Sequence, residues 1–555
     1  MHGKKKSFLC FLKTSSVLLL TDFLLLSQTS VLAAVVGDGS INSTVKINKD
    51  TSNGPTLSAD DYYAISITSI GDLNGDGVQD LAVGAYADDN GGTDRGAVHL
   101  HFMNTDGSID STVELNDGTS NGAVLANEDY YGVSVASIGD LDGDGVQDLA
   151  VGADGDDAGG TGRGALHIHF MNTDGSIDST IEINDTTTNG PTLSDEDYYG
   201  FDITSIGDLN EDGVQDLVVS APEDDGSGTI QGAVHIHFMN TDGSVDSTVE
   251  INGSTTNGPS LSDYDYYGLS VDSPGDLNGD SIPDLVVGAP CTTSSGQGAV
   301  YIHFMNTDGS IKSTVAIDND TSHGPSLYTG DVYGFGIDSI GDLNGDGVED
   351  LAIGAPGDDT GGTNRGTVHI HFMNTDGSID STVELNSNTT NGGTLGNSAF
   401  YGSSIANIGD LDGNGVNDLA IGIDEDGSYH GAVFIHFMHR LPTQGKKFSK
   451  DTRCLYTTPP EITWIKLTPT TQNDIAGMLV TWTQYDANKV TIRIDNGTDS
   501  YPYKVNKTEN DGHEFLPNVF PYQKIKIKPV NHCKDGNYSI PVSYALHPDG
   551  WYNVP

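Results

Sequence analysis

Short apolar runs alternate with clusters of Gly, Asp and Asn along residues 35–440, and this pattern is written six times. In the second copy the runs occupy residues 133–138, 149–153, 165–170 and 177–183. Brief apolar or alternating runs between Gly/Asp turns indicate β-strands, and no helical period accompanies them. Four strands in a repeat of this length predict one blade of a β-propeller.

The two ends of the array complement each other. Residues 37–48 match the last strand of a repeat although no repeat precedes them, and the sixth copy stops after residues 434–438 without that strand. We therefore predict an all-β fold: a six-bladed β-propeller closed by the N-terminal strand, followed by a small β-sandwich. Closure removes the sheet edges that an open array exposes. A solenoid is the alternative, but it needs capping repeats.

One acidic nonapeptide recurs in every copy. It reads Asp72-Leu-Asn74-Gly-Asp76-Gly-Val78-Gln-Asp80 at its first appearance. It starts again at Asp140, Asp208, Asp276, Asp342 and Asp410, at intervals of 68, 68, 68, 66 and 68 residues. A constant period of this size is typical of a repeat architecture.

The nonapeptide has the spacing of a calcium loop. Calcium binds about six to eight oxygen atoms from carboxylates, amides, backbone carbonyls and water. Oxygen-bearing side chains at positions 1, 3 and 5 can converge, because glycine at positions 4 and 6 lets the backbone turn sharply. The backbone carbonyl at position 7 and the Asp at position 9 complete the site. An EF-hand needs Glu at position 12, which is Val83 here, so we reject that motif.

The predicted ligands of up to six Ca²⁺ ions are positions 1, 3, 5, 7 and 9 of each loop. Loop by loop they are Asp72, Asn74, Asp76, Val78, Asp80; Asp140, Asp142, Asp144, Val146, Asp148; Asp208, Asn210, Asp212, Val214, Asp216; Asp276, Asn278, Asp280, Ile282, Asp284; Asp342, Asn344, Asp346, Val348, Asp350; and Asp410, Asp412, Asn414, Val416, Asp418.

Two loops depart from this pattern. The fourth carries Ser281 in place of the second glycine, with Pro283 beyond it, and the sixth carries Asn414 at position 5. We expect the fourth site to be the weakest. The alternative to calcium is a set of solvated Asp/Asn/Gly turns, but six copies with their ligands in phase favour the ion.

The Tyr-Gly opening of a repeat (Tyr131-Gly132), the calcium loop and the Gly-Ala-Pro element (Gly288-Ala289-Pro290 and Gly354-Ala355-Pro356) occur together. In this combination residues 35–440 resemble the FG-GAP repeats of integrin alpha-subunit propellers, especially those of secreted bacterial integrin alpha-like proteins. The resemblance implies calcium loops on one propeller face and ligand binding largely on the other. Six blades rather than seven, and the lack of a transmembrane tail, depart from true integrin alpha chains.

The first 34 residues have the composition of a signal peptide. Three lysines at 4–6 precede apolar runs at 8–12 and 17–26, and Ala33 and Ala34 offer a cleavage site. We therefore expect a secreted or cell-surface protein. No other stretch approaches the length of a membrane span, so we expect no span after signal cleavage.

Charge separates the remainder into two parts. Residues 35–440 contain 7 Lys/Arg and 67 Asp/Glu, a net charge of -60, whereas residues 441–555 contain 13 and 11, a net charge of +2. Because the propeller is this acidic and has no basic patch, we expect no nucleic acid partner. Most of this charge is interpreted as a solvated face that keeps the protein soluble.

A linker is predicted at 441–460, followed by strand-like runs at 462–467, 479–483, 490–494 and 524–528. About 95 residues of this kind predict a small β-sandwich over 461–555. Leu516-Pro517 followed by Tyr522 resembles the tyrosine-corner region of fibronectin type III domains. Cys454 and Cys533 could form a disulfide there, and whether they pair stays open. Cys291, in the propeller, is expected to be unpaired.

A His-x-His pair recurs on the third strand, at His99/His101, His167/His169, His235/His237 and His369/His371. Alternation places both imidazoles on one strand face, where they could bind zinc. The fourth and sixth copies carry Tyr301 and Phe434 at the first position, and aromatic replacements favour packing. The aromatic pairs that open the blades, such as Tyr62-Tyr63, are likewise expected to be buried.

Paired carboxylates such as Asp88-Asp89 and Asp156-Asp157 could perform acid–base chemistry. Their repetition around a ring argues against it, and we find no nucleophile elbow, P-loop or metalloprotease helix. We therefore expect that the protein is not an enzyme. The leading hypothesis is a secreted calcium-binding propeller, its calcium structural, that mediates adhesion or binds an extracellular protein or glycan. The alternatives are a structural surface-layer component, or a hydrolase of surface glycans or lipids, which needs an asymmetric group of acids near the ring axis.

Overall fold

The computed structural model describes residues 39–292, 296–423 and 430–439, and the backbone of seven further strands between residues 465 and 544. The predicted signal peptide and linker, Tyr522, and the half-cystine candidates Cys454 and Cys533 lie outside the described residues. The chain divides into two compact units, Met1–Arg440 and Leu441–Pro555. Every regular element in the described residues is a β-strand.

The first unit contains six antiparallel sheets of four strands each, which are the blades. Strand β1 spans Ser40–Ile47. From the axis outward, blade 1 contains β2 Tyr63–Ser69, β3 Leu81–Ala85, β4 Ala97–Met103 and β5 Ile109–Leu115, and blade 2 contains β6 Tyr131–Ser137, β7 Leu149–Ala153, β8 Ala165–Met171 and β9 Ile177–Ile183. Blade 3 contains β10 Ile203–Gly207, β11 Asp216–Ala221, β12 Ala233–Met239 and β13 Val245–Ile251, and blade 4 contains β14 Val271–Gly275, β15 Asp284–Ala289, β16 Ala299–Met305 and β17 Ile311–Ile317. Blade 5 contains β18 Ile337–Gly341, β19 Asp350–Ala355, β20 Thr367–Met373 and β21 Ile379–Leu385, and the first three strands of blade 6 are β22 Ile405–Asn407, β23 Leu419–Ile423 and β24 Ala432–His439.

The N-terminal strand closes the ring. Strand β1 is the fourth strand of blade 6 and pairs antiparallel with β24, from Ser40 opposite His439 to Ile47 opposite Val433. The inner strand of each blade contacts the inner strand of the next, and β22 contacts β2. The prediction of six blades with N-terminal closure is therefore confirmed.

Hydrophobic cores lie between neighbouring blades, because the two middle strands of each blade are buried on both faces. In blade 1, Leu81 and Val83 pack with residues of blade 6, while Ala82 and Leu100 pack with residues of blade 2. The blades also approach closely at Gly84, where a Cβ would lie 1.9 Å from the carbonyl oxygen of Gly132. A side chain at Gly84 would clash, which explains why glycine stands at this position of the second strand in five of the six blades, with Ser220 in blade 3.

The inner strands belong to separate sheets, so side chains connect them across the ring. Oγ of Ser66 accepts a hydrogen bond of 3.0 Å from the backbone N–H of Val135 in the next blade. Oγ of Ser270 accepts one of 3.1 Å from the N–H of Ile337. These bonds satisfy buried backbone donors at the inner edges of the sheets.

The second unit contains two sheets among its described strands. The first has the order β25 Ile465–Gln472, β26 Ile475–Trp482 and β29 His513–Pro517; the second has the order β28 Val505–Asn506, β27 Lys489–Asp495, β30 Lys524–Val530 and β31 Val542–Tyr544. A fibronectin type III-like β-sandwich stays a prediction for this unit. Among the described residues of the whole chain, no helix has the length and apolarity to cross a bilayer.

Candidate metal centre

Each nonapeptide joins the first and second strands of its blade, so all six loops lie at the same end of the ring. The sixth loop also contacts its two neighbours around the ring. Nδ2 of Asn417 in the sixth loop donates a 3.2 Å bond to the carbonyl oxygen of Ile340, just before the fifth loop. A Cβ at Gly409, before the sixth loop, would lie 3.5 Å from Cγ of Gln79 in the first. The sixth loop thus contacts the segments of both neighbouring loops, the fifth and the first.

The first loop shows how the ligand side chains are oriented. The carboxylate of Asp72 accepts the backbone N–H of Asp76 at Oδ1 and of Gly77 at Oδ2, both at 2.8 Å. Oδ1 of Asn74 also accepts the N–H of Asp76, at 2.8 Å, and Oδ1 of Asp76 accepts that of Val78 at 2.9 Å. Oxygen atoms at positions 1, 3 and 5 of the first loop are therefore turned inward.

Position 9 anchors the loop to the sheet. In the first loop, Oδ2 of Asp80 accepts the N–H of Leu73 at 3.1 Å, and Oδ1 accepts the N–H of Met103, on the third strand, at 2.9 Å. The same two bonds recur in every loop, at Asp148, Asp216, Asp284, Asp350 and Asp418. This residue is therefore a structural bridge as well as a candidate ligand.

Burial of these anchoring carboxyls has an electrostatic cost. Removal from water raises the pKa of Asp80, Asp148, Asp216 and Asp284 to about 6, and that of Asp350 and Asp418 to about 7. Hydrogen bonds from backbone N–H groups lower the pKa of Asp80, but by less than burial raises it. A bound cation would favour the charged carboxylate, so the site has an electrostatic reason to take one.

The second and sixth loops bring three carboxylates together. Oxygen atoms of Asp140, Asp142 and Asp148 lie within 4.8 Å of one another, and those of Asp410, Asp412 and Asp418 do the same. Ligands at about 2.3–2.6 Å from a calcium ion lie at most about 5 Å apart, so this spacing fits. In addition, Oδ1 of Asp140 is buried without a hydrogen-bond partner, which leaves it free for a cation.

The other loops have Asn at position 3, and one of them is arranged differently. In the fourth loop Nδ2 of Asn278 donates to both carboxylate oxygens of Asp284, at 3.3 and 3.0 Å. Asp280 at position 5 pairs with Nζ of Lys312 at 2.8 Å.

The sixth loop differs at position 5, where it carries Asn414. Nδ2 of Asn414 donates to the carbonyl oxygen of Met438 at 3.0 Å, and its Oδ1 accepts the N–H of Val416.

Sequence reasoning missed a hydrogen-bonded relay that holds each blade. In blade 1 the hydroxyl of Tyr63 lies 2.7 Å from Nε2 of His101, whose Nδ1 lies 2.8 Å from Oγ1 of Thr112. Thr112 in turn donates to the carbonyl oxygen of Asn53 at 2.6 Å. Because the threonine proton is used there, Oγ1 accepts from Nδ1–H, and Nε2 accepts from the tyrosine. The second histidine of each pair is therefore a neutral, structural group.

The relay recurs in all six blades. Its further members are Tyr131–His169–Thr180, Tyr199–His237–Thr248, Tyr267–His303–Thr314, Tyr333–His371–Thr382 and Tyr401–His436–Thr44. One signal in the sequence could have revealed it: the second histidine occurs in all copies, whereas the first is replaced in two.

The first histidines are packed, as predicted. His99 is fully buried, its ring 6.2 Å from that of His101 and 5.6 Å from that of Tyr63, and neither of its nitrogens has a hydrogen-bond partner. Tyr301 and Phe434 stack in the same place. No histidine belongs to a group of convergent metal-binding side chains among the described residues. The first member of the opening pair is also buried at Tyr62, Tyr130, Tyr198, Tyr266 and Val332, and Phe400 is partly buried.

The paired aspartates order turns. Oδ1 of Asp88 accepts the N–H of Asn90 at 2.6 Å, and Oδ1 of Asp89 accepts the N–H of Asp94 at 2.9 Å. The same arrangement follows at Asp156 and Asp157. Their repetition thus has a structural explanation.

The inner strands enclose a cavity of about 110 Å³. Three carboxylates line it, Asp202, Asp272 and Asp338, and they come from consecutive blades only, so they break the repeat symmetry. Oδ2 of Asp202 accepts the N–H of Val271 at 2.9 Å, and Oδ2 of Asp338 accepts that of Asn407 at 2.6 Å. Oδ2 of Asp272 is buried without a partner. Burial, with the neighbouring carboxylates, raises the pKa of Asp272 and Asp338.

One expectation about cysteine is wrong. Cys291 is buried and disulfide-bonded, not unpaired. Its partner lies outside the described residues. Counting cysteines could not reveal this pairing, because the distance between two sulfur atoms depends on the fold.

Comparison with known proteins agrees with this architecture. The FG-GAP repeat family matches residues 64–101, 131–169, 202–237, 268–303 and 337–371, one segment in each of the first five blades. The chain is 30% identical to integrin alpha-5 of Xenopus laevis over 269 residues, 46% of this chain and 23% of that protein. It is 35% identical to integrin alpha-4 of Xenopus laevis over 158 residues, 28% of this chain and 14% of that protein.

A third relative, integrin alpha-PS5 of Drosophila melanogaster, is 34% identical over 163 residues, 29% of this chain and 15% of that protein. The chain thus spans less than a quarter of the length of these relatives. The five FG-GAP segments all lie in the propeller. This propeller is built from FG-GAP repeats and is similar to integrin alpha chains.

Proposed function

We propose that this chain is a secreted or cell-surface calcium-binding propeller that binds an extracellular protein or glycan, and that its calcium is structural. The observation that carries the calcium is the second loop, where three carboxylates converge within 4.8 Å and Oδ1 of Asp140 is buried without a donor. The first, third and fifth loops share one orientation of the oxygen atoms at positions 1, 3 and 5. Positions 1, 3, 5, 7 and 9 of each nonapeptide are the proposed ligands.

The domain plan belongs to the same proposal. It consists of a signal peptide at 1–34, the propeller at 35–440, a linker at 441–460 and a fibronectin type III-like domain at 461–555. The loops occupy one end of the ring, so the opposite end is the proposed ligand-binding face. Support for a binding role comes from the likeness to integrin alpha chains, and the acidic surface favours solubility outside the cell.

The role of calcium is tested by chelation. Extracellular calcium modules have dissociation constants of about 0.1–1 mM. At free calcium about ten times that constant, each site adds about 1.4 kcal/mol. Five or six independent sites then add about 7–8 kcal/mol, comparable with the total stability of a domain. We expect EDTA to lower the melting temperature of the propeller by many degrees, and excess calcium to restore it. An unchanged melting temperature in EDTA contradicts the proposal.

The binding role is tested with residues 35–555 on a glycan array and on intact cells. Residues 455–555 alone test whether the second unit is sufficient. Saturable binding that requires the propeller and is lost in EDTA supports adhesion. Absence of binding by both proteins contradicts it and directs attention to the enzyme and scaffold alternatives.

One observation favours the alternative of a propeller-scaffold hydrolase: the acids near the axis are asymmetric. Two of them, Asp202 and Asp338, are held by backbone donors of the next blade and therefore connect blades. The cavity of about 110 Å³ holds a few waters at about 30 Å³ each. Small-molecule pockets are about 300–1,000 Å³, so this cavity is smaller than a typical one. Hydrolysis of a glycan or lipid that is lost in Asp272→Asn would establish the alternative.

A further inference from the structure

The fourth calcium loop contains a cation of its own. Nζ of Lys312 lies 2.8 Å from Oδ2 of Asp280, the carboxylate at position 5 of that loop. Lys312 is the second residue of β17, on the outer strand of blade 4. The corresponding residues of the other outer strands are acidic or neutral: Asp110, Asp178, Asp246, Asp380 and Asn42. The ammonium group is therefore an addition particular to this loop.

Asn278, at position 3 of the fourth loop, is also oriented as expected for a loop without a bound calcium ion. Asn278 points its amide N–H₂ at both oxygens of Asp284, and since a carboxylate only accepts, the amide donates. In the first loop the equivalent Asn74 instead presents Oδ1 to the backbone N–H of Asp76. The amide of the fourth loop thus satisfies a carboxylate that a cation would otherwise satisfy.

We propose that Lys312 neutralises the fourth loop in place of calcium, so that this loop stays empty at calcium concentrations that fill the other five. The inference rests on the proposed calcium function. A divalent ion at the centre of the loop would meet the ammonium group within a few ångströms and would lose Asp280 as a free ligand.

The ion pair is open to water, which makes the replacement reversible. The side chain of Lys312 is 56% exposed and that of Asp280 24%. Exposed ion pairs contribute little net stability, so calcium in large excess can displace the lysine. We expect the fourth loop to bind calcium at least about tenfold more weakly than the others.

The test counts calcium ions bound to the full chain by equilibrium dialysis, in wild type, Lys312→Ala and Lys49→Ala. Lys49 pairs with Asp50 at 2.9 Å outside any nonapeptide, so its variant has the same change of charge. We expect Lys312→Ala to bind one calcium ion more than wild type at moderate calcium, and Lys49→Ala to match wild type.

Six ions on the wild type, or equal numbers on wild type and Lys312→Ala, overturn the inference. The absence of calcium from all three proteins contradicts the proposed function itself and removes the inference with it. Circular dichroism of the variants confirms that each is folded before the ions are counted.

Discussion

Thr44 on the first strand of the chain holds His436 on the last strand of the propeller, through a contact of 2.8 Å between Oγ1 and Nδ1. The two residues are 392 positions apart. In the first blade the same contact joins Thr112 and His101, which are 11 positions apart in one hairpin. Closure of the ring therefore rebuilds, from both ends of the array, a contact that the other blades make locally.

We expect Thr44→Val to lower the free energy of unfolding by about 1–3 kcal/mol, because the buried Nδ1–H of His436 loses its acceptor. Thr112→Val removes the same bond from blade 1 and is the matched control. Its effect is expected to be smaller, since a short loop still connects β4 and β5. Chemical denaturation of the calcium-loaded proteins measures both. Equal losses in the two variants would show that the closing strand is no weaker than an ordinary hairpin.

The two kinds of carboxylate in a loop should respond differently to calcium. Asp148→Ala removes the acceptors of two backbone donors, Leu141 N–H and Met171 N–H, so we expect a loss of about 2–4 kcal/mol with or without calcium. Asp144→Ala removes only an exposed ligand and one local bond to Val146. It should lower the melting temperature in calcium and change it little in EDTA. A loss for Asp144→Ala that is equally large in EDTA would contradict its role as a ligand.

The buried histidines should make the propeller sensitive to acid. Burial lowers the pKa of His167 to about 4 from an ordinary value of 6.5. Between these values the unfolded chain binds a proton that the folded chain does not, so stability falls as the pH falls from 6.5 to 4. His167→Phe, with the residue type of Phe434, should become more stable than wild type over this range, by up to about 3 kcal/mol at pH 4.

Urea denaturation of both proteins at several pH values measures that difference. His101→Phe is the contrasting variant, because it breaks the relay with Tyr63 and Thr112 and should be destabilised at every pH. A difference between His167→Phe and wild type that does not change with pH would rule out a protonation effect.

Asp272 should lower the stability of the folded propeller at high pH. Burial, and then the nearby Asp202, raise its pKa above the ordinary value of 3.8. The folded chain therefore keeps a proton that the unfolded chain releases, and this contribution to stability is lost as the pH rises through the folded pKa. We expect Asp272→Asn to raise the melting temperature at pH 8, with a smaller gain at pH 5.

Asp202→Asn is the control for that experiment. Asp202 accepts bonds from Val271 N–H and from Oγ of Ser134, so its amide loses an acceptor and should give no gain. Thermal melts in calcium at both pH values separate the two variants. A lower melting temperature for Asp272→Asn at pH 8 would show that its carboxylate is needed in its charged form.

The sequence alone determined the repeat, the number of blades, the closing strand and the position of every nonapeptide loop. These features are local: strand alternation has a period of two residues, and the loop ligands lie within nine residues of one another. A pattern of this kind is visible without knowledge of which strands meet. The unusual fourth loop was also visible, through Ser281 and Pro283.

Only the tertiary structure decided the contacts that cross blades or span a blade. Lys312 reaches Asp280 from 32 positions away, and Thr112 reaches the carbonyl oxygen of Asn53 from 59 positions away. The gathering of Asp202, Asp272 and Asp338 at the axis belongs to the same class. These relationships depend on how the strands pack within and between blades, which brings together residues that are distant along the chain. The physical reason is that hydrogen bonds and charges act over a few ångströms in space, whatever their separation in sequence.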